Sequence, residues 1–144
     1  MIDGVSKVVI EVEDQDRAKA FWIETMGFGL VQDAPYGEER WLEVQTPDHA
    51  MNLVLELRTD EPRGQRVIPP LLPTSNVMFR CTDVSATYEE LSARGVAFPQ
   101  PPVRQPFGWW CMFNDTEGNR FALEPAEPAV ASDVDDGEAA PTYG

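Results

Sequence analysis

Histidine, cysteine and basic residues are scarce in this sequence of 144 residues. It has one His, His49, and two Cys, Cys81 and Cys111, each within a short apolar run. One His in a predicted turn cannot by itself rebuild a His-based metal site and gives no basis for a Ser-His-Asp arrangement, and the two Cys resemble small core residues more than a disulfide framework. The sequence also has no Cys-x-x-Cys pair and no Gly-rich phosphate loop. These absences exclude several common classes of catalytic site.

Acidic residues greatly outnumber basic ones. There are 25 Asp and Glu against 11 Lys and Arg, which gives a formal net charge of −14. Such a surface repels phosphate backbones, so nucleic acid is not expected as a partner. No apolar run reaches the roughly 18 residues that a membrane span needs, and the N-terminus shows no signal-peptide pattern. We therefore expect a cytoplasmic protein without a membrane partner.

A β-hairpin is predicted in the most aromatic stretch, near the end of the chain. Two apolar runs, Trp109–Phe113 and Phe121–Leu123, flank a polar segment rich in Asn, Asp and Gly. Gly118 supplies the positive φ that a tight turn needs, and the side chains of Asp115 and Asn119 can hydrogen-bond the turn backbone. We place the functional surface on the concave face of this hairpin.

Internal similarity predicts two copies of one β-α-β-β-β unit. In each copy an Asp that can cap a helix (Asp14, Asp83) is followed by a Gly that can end it (Gly27, Gly95). The two Asp and the two Gly have almost the same offset, as expected for a repeat. The predicted strands are Val5–Val12, Gly29–Gln32, Arg40–Val44 and Asn52–Leu57, then Asn76–Thr82, Val96–Phe98, Trp109–Phe113 and Arg120–Glu124, with turns at Asp33–Glu39 and Thr46–His49.

These elements predict one domain over residues 1–125. Unit one covers 5–57 and unit two covers 74–125, and a Pro-rich linker at 58–73 separates them because it can continue neither a helix nor a strand. An acidic tail, 126–144, has few large apolar groups and is expected to be flexible.

The repeat and the hairpin resemble the vicinal-oxygen-chelate superfamily, which includes glyoxalase I, the bleomycin-resistance proteins and the extradiol dioxygenases. The resemblance rests on the openings VEDQDRAKAFW and CTDVSATYEEL and on the hairpin NDTEGNRFAL. The family's turn usually has the sequence Asp-Pro-Asp-Gly-Asn, and this chain has Asp115-Thr116-Glu117-Gly118-Asn119. The resemblance implies an α+β fold in which two tandem β-α-β-β-β units form a cup-shaped mixed sheet with helices on the outer face.

The same resemblance implies where a metal would be held. Metal-dependent members carry one ligand on the first and last strand of each unit, and these positions correspond here to Lys7, Glu56, Asn76 and Ala122. Glu56 is the only retained family ligand, because a Lys ammonium repels a divalent cation, Asn offers only a neutral oxygen and Ala offers no donor. We therefore expect no metal and no other cofactor.

Lys7 and Glu56 are hypothesised to form an ion pair in place of the metal. Both fall on the wall-facing register of their strands. The alternative is that both point to solvent at the rim and pair with nothing.

An aromatic and apolar lining with a few polar groups is predicted for the cup, which suits a planar or amphipathic organic ligand. Strand alternation places Trp110 and Met112 on one face of their strand and Trp109 on the other. The alternative is that these aromatic side chains pack between the units or in a dimer interface. The predicted ligand-binding residues are Lys7, Trp41, Glu43, Glu56, Asn76, Met78, Arg80, Trp110, Met112 and Arg120.

Two classes of function are left open by the sequence. The first is a metal-free, bleomycin-resistance-like protein that sequesters an aromatic or amphipathic molecule such as an antibiotic. The second is a glyoxalase-type lyase or a dioxygenase with a non-standard metal set, in which Glu11, Glu43 or Glu56 could serve as a base. A blander alternative is a dimer whose cup is filled by its own side chains. Fold alone does not decide among them; the missing ligands favour the binder, which we expect to be a homodimer.

Overall fold

The computed structural model describes residues 1–59, 73–106 and 108–126. The chain divides into two compact units: one is built mainly from the first half together with the turn Thr116–Gly118, and the other is built from the second half. Most of the expected linker at 58–73 and nearly all of the expected tail at 126–144 lie outside the described residues, so those boundaries stay predictions.

The first unit has the predicted β-α-β-β-β order. The elements are β1 (Lys7–Val12), α1 (Gln15–Ala20) with the π-helical turn Phe21–Thr25, β2 (Gly29–Tyr36), β3 (Glu39–Gln45) and β4 (Asn52–Leu57). The π-helical turn extends the helix. The sheet has the strand order β1-β4-β3-β2, in which β1 is parallel to β4 and the other pairs are antiparallel.

The second unit repeats this topology. The elements are β5 (Met78–Cys81), α2 (Val84–Ala93), β6 (Val103–Gln105), β7 (Gly108–Asn114) and β8 (Arg120–Pro125). The strand order is β5-β8-β7-β6, again with the first and last strands of the unit parallel. Two four-stranded mixed sheets, each with one main helix in its connection, confirm the predicted α+β fold.

Both helices begin and end where the sequence predicts. The side chains of Asp14 and Asp83 each accept a backbone N–H at 3.0 Å, which satisfies a donor that the first helical turn leaves unpaired. Gly27 and Gly95 follow the helices with φ of 80° and 92°, a conformation that costs glycine little. Among the described residues, no helix is long and apolar enough to cross a membrane.

Strand alternation and the first helix together build the core of the first unit. Ile10, Leu42 and Leu53 are buried on one face of the sheet, and the helical residue Trp22 is fully buried with them. The ring of Trp22 lies 5.0 Å from that of Phe28. Because successive strand residues point to opposite faces, the other face of this sheet is left for polar groups.

Aromatic residues and a buried thiol form the core of the second unit. The rings of Phe113 and Phe121 stack at 5.4 Å, and Phe79 lies 5.6 Å from Phe121. Cys111 is buried, and burial raises the pKa of its thiol to about 12. Cys81 is also a free thiol. The two cysteines are therefore unbridged, as predicted, and the Cys111 thiol is unreactive.

Strand β2 is longer than the sequence predicts. The expected turn Asp33–Glu39 is wrong, since β2 continues to Tyr36 and pairs with β3 throughout. Asp33 accepts hydrogen bonds from Arg40 of β3 at 2.8 Å and from Lys19 of α1 at 2.7 Å, which tie β2 to the neighbouring strand and to the helix and lower the pKa of its carboxyl. Pro35 is tolerated because β2 is an edge strand with one unpaired side.

Two predicted strands of the second unit are corrected. Strand β5 begins at Met78 instead of Asn76, because Asn76 has a φ of 64° that ends the extended backbone there. The stretch Val96–Phe98 forms only a single bridge, from Ala97 to β7, and β6 is supplied by residues 103–105 instead.

The turn of the predicted hairpin forms as expected, but one of its residues does more than turn. Gly118 has a φ of 85°, and the Asp115 side chain accepts the backbone N–H of Asn119 at 2.8 Å. Glu117, between them, is fully buried instead of solvated. The sequence treats Glu117 as one more polar turn residue and so misses its role.

Glu117 accepts hydrogen bonds from the two backbone N–H groups that directly precede α1. Its carboxylate is the hub of a hydrogen-bond cluster within the first unit. Burial opposes ionisation, but hydrogen bonds from Arg17 and Thr116 and from two backbone amides outweigh it and lower the pKa of Glu117 to about 2. Its donors are Arg17 Nε at 2.6 Å and Nη2 at 3.0 Å, Thr116 Oγ1 at 2.7 Å, and the backbone N–H of Asp14 at 2.8 Å and of Glu13 at 2.9 Å.

We predict that Glu117→Gln lowers the free energy of unfolding by about 3 kcal/mol, because it removes the negative charge that pairs with Arg17 and puts an NH2 donor where one carboxylate oxygen accepts hydrogen bonds. Urea unfolding followed by circular dichroism measures the change. Glu90→Gln is the matched control, since Glu90 pairs with Arg94 on the exposed face of α2; its expected cost is below about 0.5 kcal/mol. Equal effects of the two substitutions would contradict the assigned role.

Acid should destabilise the protein through the same group. The pKa of Glu117 falls from 4.5 to about 2 on folding, so its contribution is fully present above pH 4.5 and is lost as the pH falls toward 2. Thermal melts across this range should show a smaller loss of stability in Glu117→Gln than in the wild type. If both proteins lost the same amount of stability as the pH fell, Glu117 would not be the group responsible.

Candidate functional site

A set of polar and aromatic side chains lies on the face of the first sheet opposite to the helix. The register pairs Lys7 of β1 with Asn52 of β4, and Glu43 of β3 with Val54 of β4. Paired residues share a face, and alternate residues along a strand share it too. Lys7, Asn52 and Glu43 therefore lie on one face, and Trp41 joins them two residues before Glu43.

Glu43 is the centre of this group. It is only 3% exposed, and three side chains donate hydrogen bonds to its carboxylate. Trp41 Nε1 lies 2.9 Å and Lys7 Nζ 3.2 Å from Oε1, and Asn52 Nδ2 lies 2.6 Å from Oε2. Asn52 in turn accepts from Gln45 at 3.0 Å. Both carboxylate oxygens are thus engaged.

Glu43 is held as an anion in this network. Burial would raise the pKa of Glu43, but hydrogen bonds from Trp41, Asn52 and Lys7, together with the Lys7 charge, lower it below the ordinary value. A carboxylate with a low pKa and occupied oxygens is a poor general base. Its chemistry fits a positioning role, in which it fixes Trp41 and neutralises Lys7.

Trp41 presents an oriented aromatic surface beside this ion pair. Its indole N–H is tied to Glu43, and the Lys7 ammonium lies 5.7 Å from the ring centroid, within the range of a cation–π contact. The ring of Tyr36, which is 63% exposed, lies 5.7 Å away at a tilt of 55°. The first unit therefore offers two neighbouring aromatic rings and one compensated charge.

The hypothesised partner of Lys7 is corrected by the structure. Lys7 pairs with Glu43 and not with Glu56. Glu56 is on the same face, but the register places it opposite Glu11, four residues beyond Asn52, or about 13 Å along the strand. Sequence alternation gave both residues the right face and could not give their separation along it.

The corresponding face of the second sheet is mostly apolar. Ala122 of β8 pairs with Met78 of β5 and with Met112 of β7, and Trp110 pairs with Val103 of β6. Trp110, Met112 and Ala122 form a buried cluster, whereas Met78 and Val103 are about 40% exposed. Trp109, on the opposite face of β7, is 44% exposed. The predicted separation of the two tryptophans is correct.

The remaining predicted site residues occupy different positions. Arg80 pairs with Glu124 in the register of the second sheet and shares the face of Met78. Arg120 opens β8, and its Nε donates to Asn114 at 3.0 Å. Asn76 is exposed in the bend before β5 and belongs to no strand. Each unit thus gathers part of the set, and ligand binding by these residues stays a prediction.

Two polar residues of these faces were missed by the sequence analysis. Asn52 was predicted to begin β4, and its parity with Glu56 was enough to place it on the ligand-facing side. Gln105 is 6% exposed on β6, a strand that the Pro-rich sequence around it does not predict. For Gln105 the sequence carried no usable signal.

The fold and these sheet faces define a member of the Glyoxalase/Bleomycin resistance protein/Dioxygenase superfamily, whose family model matches residues 4–123. The chain belongs to this superfamily, as the resemblance predicted. It is 33% identical over 125 residues to the protein YetH of Bacillus subtilis (strain 168), covering 86% of this chain and 99% of that protein.

Solved structures agree with this assignment. The crystal structure of TnmS3, an antibiotic binding protein from Streptomyces sp. CB03234, is 34% identical with a TM-score of 0.69, covering 89% of this chain and 98% of that chain. UcmS2 is also 34% identical, with a TM-score of 0.71, covering 85% of this chain and 98% of that chain.

The positions that correspond to the family's metal ligands do not provide a fitting donor set. In the first unit, the ammonium of Lys7 pairs with Glu43. Glu56 is the one ligand position there that carries a carboxylate. In the second unit, Ala122 has no donor and Asn76 lies outside the sheet. Across residues 1–59, 73–106 and 108–126, no three His, Cys, Asp or Glu side chains are grouped so that they could hold a metal.

We predict that Lys7→Met raises the pKa of Glu43, because the carboxylate loses one hydrogen bond and the nearby positive charge. A titration of the ¹³C-labelled Glu carboxyl groups by NMR measures this pKa. Lys19→Met is the control, since Lys19 pairs with Asp33 at 2.7 Å and not with Glu43. An unchanged Glu43 pKa in Lys7→Met would mean that Lys7 does not hold the network.

Proposed function

We propose that the protein is a small-molecule binder of the bleomycin-resistance type, which sequesters an aromatic or amphipathic ligand and uses no divalent metal. The observation that carries this proposal is the Lys7–Glu43–Trp41 arrangement. The Lys7–Glu43 ion pair neutralises its own charge, and Glu43 also holds the Trp41 ring in place. Lys7 occupies the first of the positions that hold the metal in metal-dependent relatives.

Charge compensation favours binding over catalysis at this face. Glu43 accepts from three donors, which favour its ionised form and make it a weak acceptor for a substrate proton. The Lys7 ammonium is already paired with Glu43. The face therefore lacks the strong positive potential that would attract a highly charged anion. What the face still offers is the planar surface of Trp41 with Tyr36 at its side. Planar rings stack well on such a surface.

The second unit supports the same class of ligand. Its corresponding face consists of Trp110, Met112 and Ala122, with partly exposed Met78 and Val103 beside them. An apolar surface with few polar groups is the usual composition of a small-molecule site. The antibiotic binding activity in the name of TnmS3, which shares the superfamily, points to the same class.

Metal content tests the metal-free part of this proposal. We expect protein purified without an affinity tag to contain no stoichiometric metal by mass spectrometry, and its melting temperature to change little with Zn²⁺, Ni²⁺, Mn²⁺ or Fe²⁺. One tightly bound cation, or a large stabilisation by one, would favour the alternative of a glyoxalase-type lyase or dioxygenase that uses Glu56.

Ligand binding at Trp41 can be tested with two probes, bleomycin and the aromatic dye 8-anilinonaphthalene-1-sulfonate. We predict that Trp41→Ala weakens binding of a probe about tenfold, which corresponds to the loss of one ring-stacking contact. Trp109→Ala is the matched control, because Trp109 lies on the helix-side face of its sheet and should leave the affinity unchanged. Isothermal titration calorimetry measures both. Equal losses, or tight binding by Trp41→Ala, would count against this surface.

The homodimer implied by the family resemblance and the cytoplasmic location expected from the sequence stay predictions. Size-exclusion chromatography with light scattering tests the first. A monomer at micromolar concentration would show that any ligand site is built from one chain.

A further inference from the structure

One buried polar atom in the second unit has no hydrogen-bond partner among the described residues. This atom is Oε1 of Gln105, whose residue is only 6% exposed. An amide oxygen that leaves water on folding and gains no donor destabilises the folded state, so such atoms are uncommon and call for an explanation. An apolar residue of similar shape at this position would avoid the penalty that the oxygen carries.

The position of Gln105 relates it to the apolar face described above. In the register of β6 and β7, Gln105 pairs with Gly108 and Val103 pairs with Trp110. Residues 103 and 105 alternate onto the same face, so the Gln105 side chain lies on the Trp110 side of the sheet. Its partner position, Gly108, has no side chain that could hydrogen-bond the amide.

We propose that Gln105 Oε1 accepts a hydrogen bond from a hydroxyl or N–H group of a small organic ligand whose apolar ring rests against Val103 and Trp110. The inference rests on the proposed binding function and deepens it by naming a chemical requirement of the ligand. The oxygen is covered in this structure, so the ligand reaches it by displacing a neighbouring side chain. Val103, 39% exposed on the same strand face, marks the open side of that surface.

A site of this kind discriminates strongly in favour of a donor. When a ligand lacks the donor, the buried oxygen stays unsatisfied in the complex, and the penalty falls on the binding affinity. The fold itself already carries that penalty in the ligand-free protein. Replacement of Gln105 by the near-isosteric Met should therefore remove the discrimination without harming the fold.

The test compares 2-naphthol, which has a hydroxyl donor, with 2-methoxynaphthalene, which has the same ring system and none. For the wild type we expect about tenfold tighter binding of 2-naphthol, measured by tryptophan fluorescence quenching. In Gln105→Met the preference should disappear, while the affinity for 2-methoxynaphthalene is kept or improved. Gln100→Met, an exposed Gln→Met change in the same unit, should keep the wild-type preference.

The outcomes separate this inference from the proposed function. If the wild type binds both probes equally, or if Gln105→Met keeps the preference, the role of Gln105 is overturned and the binding function stands. If 8-anilinonaphthalene-1-sulfonate and bleomycin bind but neither naphthalene does, the role of Gln105 is again overturned. If none of the four compounds binds, the proposed function fails and this inference fails with it.

A measurement without ligand gives a second check. Because the oxygen has no donor within residues 1–59, 73–106 and 108–126, Gln105→Met should melt at the same temperature as the wild type or at a higher one. A clear drop in the melting temperature, with the variant still folded by circular dichroism, would show that the oxygen is satisfied within the protein and would overturn the proposal.

Discussion

The parallel pairing of the first and last strand in each unit is the constraint on which the rest of the structure depends. In the first unit it places β1 beside β4 and leaves β3 and β2 to complete the sheet. A parallel connection needs a crossover, which α1 provides, and the helix then covers one face only. The register that follows sets Lys7 opposite Asn52. Without that pairing the ammonium would not reach Glu43, and the polar face would have no organising contact.

Glu117 and Glu43 are buried carboxylates that are kept ionised in the same way but have different roles. Glu117 and Glu43 both lose most of their contact with water, and in both cases hydrogen-bond donors lower the pKa despite burial. Glu117 draws its donors from Arg17 and from the start of α1, so it holds a turn against a helix. Glu43 draws its donors from side chains of the sheet face, so it holds Trp41 and Lys7 in place. Glu117 therefore has a structural role, and Glu43 orients the side chains of the polar sheet face.

The Lys7–Glu43–Trp41 arrangement explains how a fold associated with metal ligands can offer a different kind of candidate site. A protonated Lys at a ligand position would repel a metal and would also leave an unbalanced charge on the sheet. Glu43 balances it at 3.2 Å, and the aromatic ring of Trp41 becomes the main feature that a ligand would meet. In the second unit Ala122 contributes only to an apolar cluster. In the proposal above, Gln105 offers beside that cluster an acceptor that has no donor among the described residues. The arrangement suits recognition by ring contacts and one directed hydrogen bond.

Local patterns in the sequence determined the elements, and long-range geometry determined the contacts between them. Strand β4 was predicted with its exact bounds, because alternation is a property of neighbouring residues, and the capping Asp and terminating Gly residues act within one turn of their helices. The family resemblance also followed from such local signals. The partner of Lys7 was not predictable, since it depends on register across three strands. The burial of Glu117 and the strand that carries Gln105 likewise depend on packing between segments far apart in sequence. In the strands that it predicts correctly, the sequence by itself thus determined which face each side chain occupies, and only the tertiary structure decided which side chains meet, because alternation fixes direction while pairing register fixes distance.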